Sequence, residues 1–192
     1  MISRKARAFW PLLFLLVFTD CATKRLAETL PVHSPREVVG DVLRFTLAYN
    51  PGAAFGFVVG TAESSRWFFG LVAIGMTALF FHWYLQADEG DRPFAIALAL
   101  VAGGALGNLL DRLRSERGVV DFIDIGLGNV RFWTFNIADA GLTAGAIILA
   151  VLLWKREAEA EAARDATTIG GEVRSDLATA AVSEVSRGGE SR

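Results

Sequence analysis

Four apolar stretches, each closed by polar or charged residues, set the pattern of this chain. Residues 67–86 are twenty positions without Asp, Glu, Lys or Arg, and Trp67, Trp83 and Tyr84 stand near the ends, where interfacial aromatics belong. Residues 94–110 form a second charge-free run, in which Gly103, Gly104, Ala105 and Gly107 allow close helix approach. Residues 8–24 follow the basic cluster Arg4, Lys5 and Arg7, with Pro11 near the helix start, where it is tolerated. A signal peptide begins this way too, but Asp20 occupies the place before Cys21 where cleavage wants a small residue, and further apolar runs follow. Residues 137–154 carry one charge, Asp139. The pattern predicts four transmembrane helices, at 8–24, 67–86, 94–110 and 137–154.

Between the first two runs, residues 27–66 mix polar and apolar positions, with Pro31, Pro35 and Pro51. Val38 to Tyr49 is rich in β-branched and aromatic residues, Asn50-Pro51-Gly52 is a turn signal, and Ala53 to Val59 is apolar again. This predicts a small sheet or hairpin on the membrane surface, with Phe45, Tyr49, Phe55 and Phe57 reaching the interface. Residues 87–93 form a tight connection. Residues 114–134 form a second long loop with Asp121 and Asp124. The membrane domain ends at 156. The remainder, 157–192, has eight acids, four arginines and no aromatic residue, and is expected to be disordered or partly helical.

Composition agrees with a membrane protein: 53% hydrophobic residues, with the charges crowded between long apolar windows. The net charge of -2 gives no nucleic-acid footprint. The single cysteine, Cys21, cannot form an intrachain disulfide. There is no HExxH, paired CxxC, P-loop, GxGxxG or GxSxG to indicate metal, nucleotide or serine chemistry. The basic N-terminus favours cytoplasmic termini. No oligomer is implied, and His82, at the end of a span, is read as a polar anchor.

Alternation of the spans puts the end of the first helix, both long loops, the end of the third helix and the start of the fourth on one side. Asp20, Lys24, Asn50, Asn108, Asp111, Arg112, Asp121, Asn136 and Asp139 all fall there. Carboxylates at the lip of a hydrocarbon segment are costly and mark function by default. Two of them brought close share one proton, so that the charged member draws a proton from water and the neutral one donates to a carbonyl oxygen. Asn and Arg neighbours can hold substrate backbone and lipid phosphate. Spacing leaves open whether Asp121 or Asp111 partners Asp139. Asp111 with Arg112 reads as a local ion pair or helix-end brace, and Asp124 as solvent-facing or structural. An ion-coupled carrier is the competing class, but the ionisable groups gather at one interface instead of crossing the bilayer.

Five motifs in order carry a resemblance: Asp20-Cys21-Ala22-Thr23-Lys24, Asn50-Pro51-Gly52-Ala53-Ala54-Phe55-Gly56, Gly107-Asn108-Leu109-Leu110-Asp111-Arg112, Val119-Val120-Asp121-Phe122-Ile123 and Phe135-Asn136-Ile137-Ala138-Asp139. Over roughly residues 8–155 the chain resembles the bacterial lipoprotein signal peptidases, the type II signal peptidases. Cys21 stands where that family more often has Gln. The resemblance implies a mainly α membrane protein of four transmembrane helices. A small β-rich extracytoplasmic cradle would come from the first loop and a mobile element from the second. It implies an aspartic endopeptidase that cuts diacylglyceryl-modified prolipoproteins just before the lipidated cysteine. Asp121 and Asp139 would be its catalytic dyad, with Asp20, Lys24, Asn50, Asn108, Asp111, Arg112 and Asn136 supporting or touching substrate. It implies no metal and no cofactor, inhibition by globomycin-like cyclic peptides, and residence in the cytoplasmic (inner) membrane with the site near the outer leaflet.

Overall fold

The computed structural model describes residues 3–52 and 57–188, with side chains through residue 164 and at Thr167. In chain order the elements are α1 (Arg4–Ala27), β1 (Arg36–Val39), β2 (Leu43–Asn50), α2 (Ala62–Gln86), α3 (Arg92–Arg114), β3 (Val119–Leu127), β4 (Val130–Arg131) and α4 (Ile137–Gly188). The chain divides into a unit of residues 1–149 and a second unit, 150–192, whose described part is the continuation of α4. By length and composition, four helices among the described residues are able to cross a membrane.

Each helix starts where an oxygen-bearing side chain meets its free N–H groups. Ser3 accepts from Ala6 N–H ahead of α1, Thr61 and Ser64 form a reciprocal capping box at α2, and Asp91 accepts from Phe94 N–H ahead of α3. These caps lie outside the apolar runs, so the helices begin before the predicted starts at 8, 67 and 94. α4 passes its predicted end at 154 and runs to Gly188, and the Ala- and Glu-rich stretch over 157–163 favours its first turns beyond Lys155.

α3 is the centre of the bundle, with α1 on one flank and α2 on another. Its small residues permit this. A Cβ on Gly103 would stand 3.1 Å from Leu16, and one on Gly104 would stand 2.4 Å from the Ala138 carbonyl oxygen. Outward-facing Phe14, Phe18, Leu71 and Ile147 are exposed, as lipid-facing positions are. Gly104→Ala drives a methyl group into fixed backbone. It is expected to destabilise the protein by about 1–3 kcal/mol, read as a lower unfolding temperature in detergent.

The sheet has the order β1-β2-β3-β4, antiparallel throughout. Both long loops build it. Asn50 pairs with Val119, Tyr49 with Val120 and Ala48 with Asp121, and an irregularity follows between Phe45 and Ala48. The expected origin of the cradle in the first loop alone is corrected here, since the second loop contributes β3 and β4. Residues 119–127 are a strand hydrogen-bonded to β2, and their β-branched and aromatic side chains suit that place. Ala27, Leu47, Val120 and Phe122 form the buried cluster beneath the sheet. The expected apolar run over 53–59 is not a strand at 57–59, and the rest of it, Phe55 included, lies outside the described residues.

Candidate active site

The link between sheet and α4 is short and is hydrogen-bonded to β3 at Phe132 and Phe135. Phe135 N–H donates to the Ile123 carbonyl at 3.0 Å, and its carbonyl accepts from Ile123 N–H at 2.8 Å. This holds Asn136 beside β3 at the first turn of α4. Asn136 Oδ1 then accepts from Asp139 N–H at 2.9 Å, while Asp139 Oδ2 accepts from Asn136 N–H at 3.2 Å. That is a reciprocal cap with Asn at its head and Asp three residues later. Asp139 is therefore oriented by its own stretch of chain as well as by tertiary contacts.

Asn136 also reaches the other carboxylate. Its Nδ2 donates to Asp121 Oδ1 at 2.7 Å, and it is fully buried. One asparagine thus touches both candidate acids, by side chain to Asp121 and by backbone N–H to Asp139. Asn50, at the end of β2, adds a longer donor bond to Asp121 Oδ2 at 3.3 Å. Asn108, from α3, donates Nδ2 to Asp139 Oδ1 at 2.7 Å. The structure leaves Asp111 out of this pair. Its Oδ2 accepts from Val120 N–H at 3.1 Å and faces the Lys24 ammonium at 3.0 Å.

Behind the acids lies a buried ionic cluster. Lys24 is only 1% exposed and lies 2.7 Å from Asp20 Oδ2, one helical turn away on α1. Asp20 is fully buried, and its Oδ1 accepts from Ala138 N–H at 2.9 Å, satisfying a free donor at the start of α4. The cluster so fastens α1, α3 and the first turn of α4. Gly107 makes room for it, since a Cβ there would stand 2.7 Å from Asp20 Oδ2. Thr23, on the same predicted helix face, bonds only back to its own helix, at the Thr19 and Asp20 carbonyls.

The expected pairing of Asp111 with Arg112 is corrected. Arg112 donates to the Gly52 carbonyl at 2.6 Å and to the Asn108 carbonyl at 3.1 Å, while Asp111 takes Lys24 and, at 3.4 Å, Arg114. Consecutive helical residues point about 100° apart, which is why neighbours in sequence find different partners here. Arg112 thereby secures the turn after Asn50, where Gly52 N–H also bonds Asn50 Oδ1 at 3.0 Å.

Asp124 is structural. Three residues along a strand from Asp121, it faces the opposite side, where it bonds Arg131 Nε at 2.7 Å and accepts from Thr46 at 3.3 Å. Asp124→Asn is expected to retain activity within about threefold, since it touches none of the groups around Asp139. A loss on the scale of an active-site change, in the same turnover assay, would contradict this placement.

Electrostatics separates the two acids. Asp121 is buried, and the carboxylate of Asp139 lies close; burial first, and that charge second, push its pKa up to about 7. The bonds from Asn136 and Asn50 and the charge of Lys24 oppose the rise without cancelling it. Asp139 is only half-buried, at the open side of the pair. Among the described residues no three His, Cys, Asp or Glu side chains converge so as to hold a metal ion. Cys21 is half-buried and unpaired with sulfur, and His82 is exposed, away from these groups. The first unit therefore presents two carboxyl groups of unlike environment, bridged by an amide and braced by buried charge: an arrangement able to move one proton each way.

Comparison with known proteins agrees in extent and in kind. The family model described as signal peptidase (SPase) II matches residues 12–155. The lipoprotein signal peptidase of Pseudomonas paraeruginosa strain PA7 is 38% identical over 165 residues, spanning 84% of this chain and 97% of that protein. The lipoprotein signal peptidase of Pseudomonas fluorescens strain Pf0-1 is 40% identical over 167 residues, 85% of this chain and 98% of that protein. A bacterial membrane enzyme solved by the in meso method at 2.3 Å superposes with a TM-score of 0.69 at 30% identity, covering 77% of this chain and 88% of its own. With a family model across most of its length and relatives matched nearly end to end, this chain belongs to the signal peptidase II family.

Proposed function

We propose that this protein is an aspartic endopeptidase that removes the signal peptide from diacylglyceryl-modified prolipoproteins. It cuts just before the lipidated cysteine, with Asp121 and Asp139 as catalytic dyad. The observation that carries the mechanism is Asn136 bonded to both carboxyl groups at once. The substrate class rests on family membership and on relatives named lipoprotein signal peptidases.

The dyad divides its work by environment. Asp139, nearer the opening and supplied with two N–H donors, is the charged member and takes a proton from water. The water oxygen bonds to the scissile carbonyl carbon. Asp121, the buried member, donates its proton to the carbonyl oxygen as that oxygen gains charge. As the tetrahedral intermediate collapses, one of its hydroxyls returns a proton to Asp121, the C–N bond breaks and the amine leaves with the proton that Asp139 took. Asn50 and Arg112 flank the pair and hold the substrate backbone, and lipid packs against the exposed apolar helix faces. Globomycin-like cyclic peptides are expected to inhibit the protein. The basic N-terminus sets both termini in the cytoplasm and the dyad near the outer leaflet of the inner membrane.

The test is purified protein in lipid vesicles given a diacylglyceryl-modified precursor and its unlipidated counterpart. The lipidated form is expected to be cut to a product beginning at the modified cysteine, read by mass spectrometry. Equal cutting of both forms, or cutting elsewhere, contradicts the proposal. The rate is also expected to fall as pH rises through about 7, because Asp121 then gives up the proton it must donate. A rate that keeps climbing past pH 8 would contradict Asp121 as the acid.

A further inference from the structure

Lys24 does more than neutralise its neighbours. An ammonium has three protons and no acceptor. Here it meets three oxygens, Asp20 Oδ2 at 2.7 Å, Asp111 Oδ2 at 3.0 Å and Asn108 Oδ1 at 3.0 Å. The third decides something. An asparagine amide can sit either way round, but only its oxygen can face an ammonium. With Oδ1 turned to Lys24, Nδ2 must point at Asp139 Oδ1, 2.7 Å away. Asn136 reinforces this by donating Nδ2 to the same Asn108 Oδ1 at 3.1 Å. Asn136 itself is held, because its Oδ1 takes the Asp139 N–H. With Lys24 in place neither amide is free to reverse.

We propose, on the reading of Asp121 and Asp139 as the dyad, that Lys24 is a positioning residue for the hydrolysis: through Asn108 it fixes an N–H donor on Asp139 and so makes Asp139 the charged member of the pair. Without Lys24 the donor left on Asn108 Oδ1 is Asn136 Nδ2, which divides two protons among Asn108 Oδ1, Asp121 Oδ1 and the Val120 carbonyl, so Asn108 can reverse and show Asp139 an oxygen. That oxygen would favour the protonated carboxyl on the wrong acid and leave the attacking water without a base. The charged groups facing this point are Lys24 and Asp20 from α1, Asp111 and Arg112 from α3, and Asp121 from β3. None except Lys24 bonds Asn108 Oδ1; Arg112 reaches only its backbone carbonyl.

The decisive variant is Lys24→Met combined with Asp20→Asn. It leaves the net charge of the cluster unchanged and keeps an oxygen for Ala138 N–H. Relative to wild type, kcat is expected to fall at least tenfold with KM little changed, and the acid limb of kcat against pH to move upward by at least one unit. Asn108→Ala is expected to do the same, and adding it to the double variant to shift the limb no further, because both act through one amide. A wild-type acid limb in the double variant, or shifts that add in the triple variant, overturns the proposal. Lys24→Leu combined with Asp20→Asn, which likewise leaves no cationic donor for Asn108 Oδ1, is a second variant should the first fail to insert. An upward limb supports the proposal and an unmoved one overturns it. A readout without turnover separates this from the dyad itself. The infrared difference between each protein and its Asp139→Asn counterpart at pH 6 is expected to show an ionised carboxylate in wild type and a protonated carboxyl in the variants. An ionised band in the variants defeats the Lys24 proposal alone, whereas normal turnover by Asp139→Asn defeats the dyad.

Discussion

Asp139→Asn and Asp121→Asn each lower conversion of a lipidated precursor by roughly 10³-fold or more, while the protein stays folded and inserted. The two changes act differently on the fold. Asn at 139 retains one oxygen for the two donors now shared between Asp139 Oδ1 and Oδ2, from Asn108 and from Asn136 N–H, so the α4 cap loses about one hydrogen bond, about 1 kcal/mol. Asn at 121 does the reverse at alkaline pH. A carboxyl whose folded pKa is raised from 3.8 to about 7 makes the folded state bind more protons than the unfolded one between those values. Stability contributed by the protonated form is present in full below about pH 4 and is lost as pH rises through 7, in all on the order of 4 kcal/mol. Asp121→Asn removes that slope. Its unfolding temperature at pH 8 is expected to exceed that of the wild type, although it has no activity. Gel-shift conversion and thermal unfolding at pH 5 and pH 8 check both halves. Activity without loss in either variant removes that residue from the dyad.

Lys24→Met alone is expected to destabilise the protein more than either change in the dyad. It strips the cation from two carboxylates, Asp20 and Asp111, that the fold has taken out of water. Removing one partner of a buried ionic cluster leaves uncompensated charge and costs about 3–5 kcal/mol. The change should appear as low yield of folded protein and as denaturation in mild detergent. Adding Asp20→Asn should recover much of that loss. A stable Lys24→Met would show that water reaches the cluster, contrary to the burial of both Lys24 and Asp20.

The helices were legible because lipid demands long runs without charge, and 67–86 and 94–110 have none. Their starts were not, because Ser3, Thr61 and Asp91 begin the helices with side-chain oxygens outside the apolar window. The one-sided gathering of polar residues followed from alternation of the spans and is what the geometry displays. What spacing left open was the choice between Asp111 and Asp121. Nothing local in Asp111 says that its oxygens go to Lys24, Arg114 and Val120 N–H, since Lys24 is 87 positions away in sequence. The resemblance had to supply that choice. Likewise Val119 to Ile125 carries a strand's side chains, but its partner β2 lies about 70 residues earlier, and register across such a distance is set by packing. The cap joining Asn136 to Asp139 did have a signal, the N-x-x-D spacing ahead of an apolar run, and it orients the acid locally.

One measurement tests the account most directly: a crystal structure of the protein with a lipidated peptide carrying a tetrahedral hydroxyl in place of the scissile carbonyl. The expected result is that hydroxyl between the two acids, within about 3.2 Å of a carboxyl oxygen of Asp121 and of Asp139, with Asn108 still donating to Asp139. A hydroxyl held by one carboxyl alone, with the other turned away and no space for a peptide carbonyl between them, would contradict it.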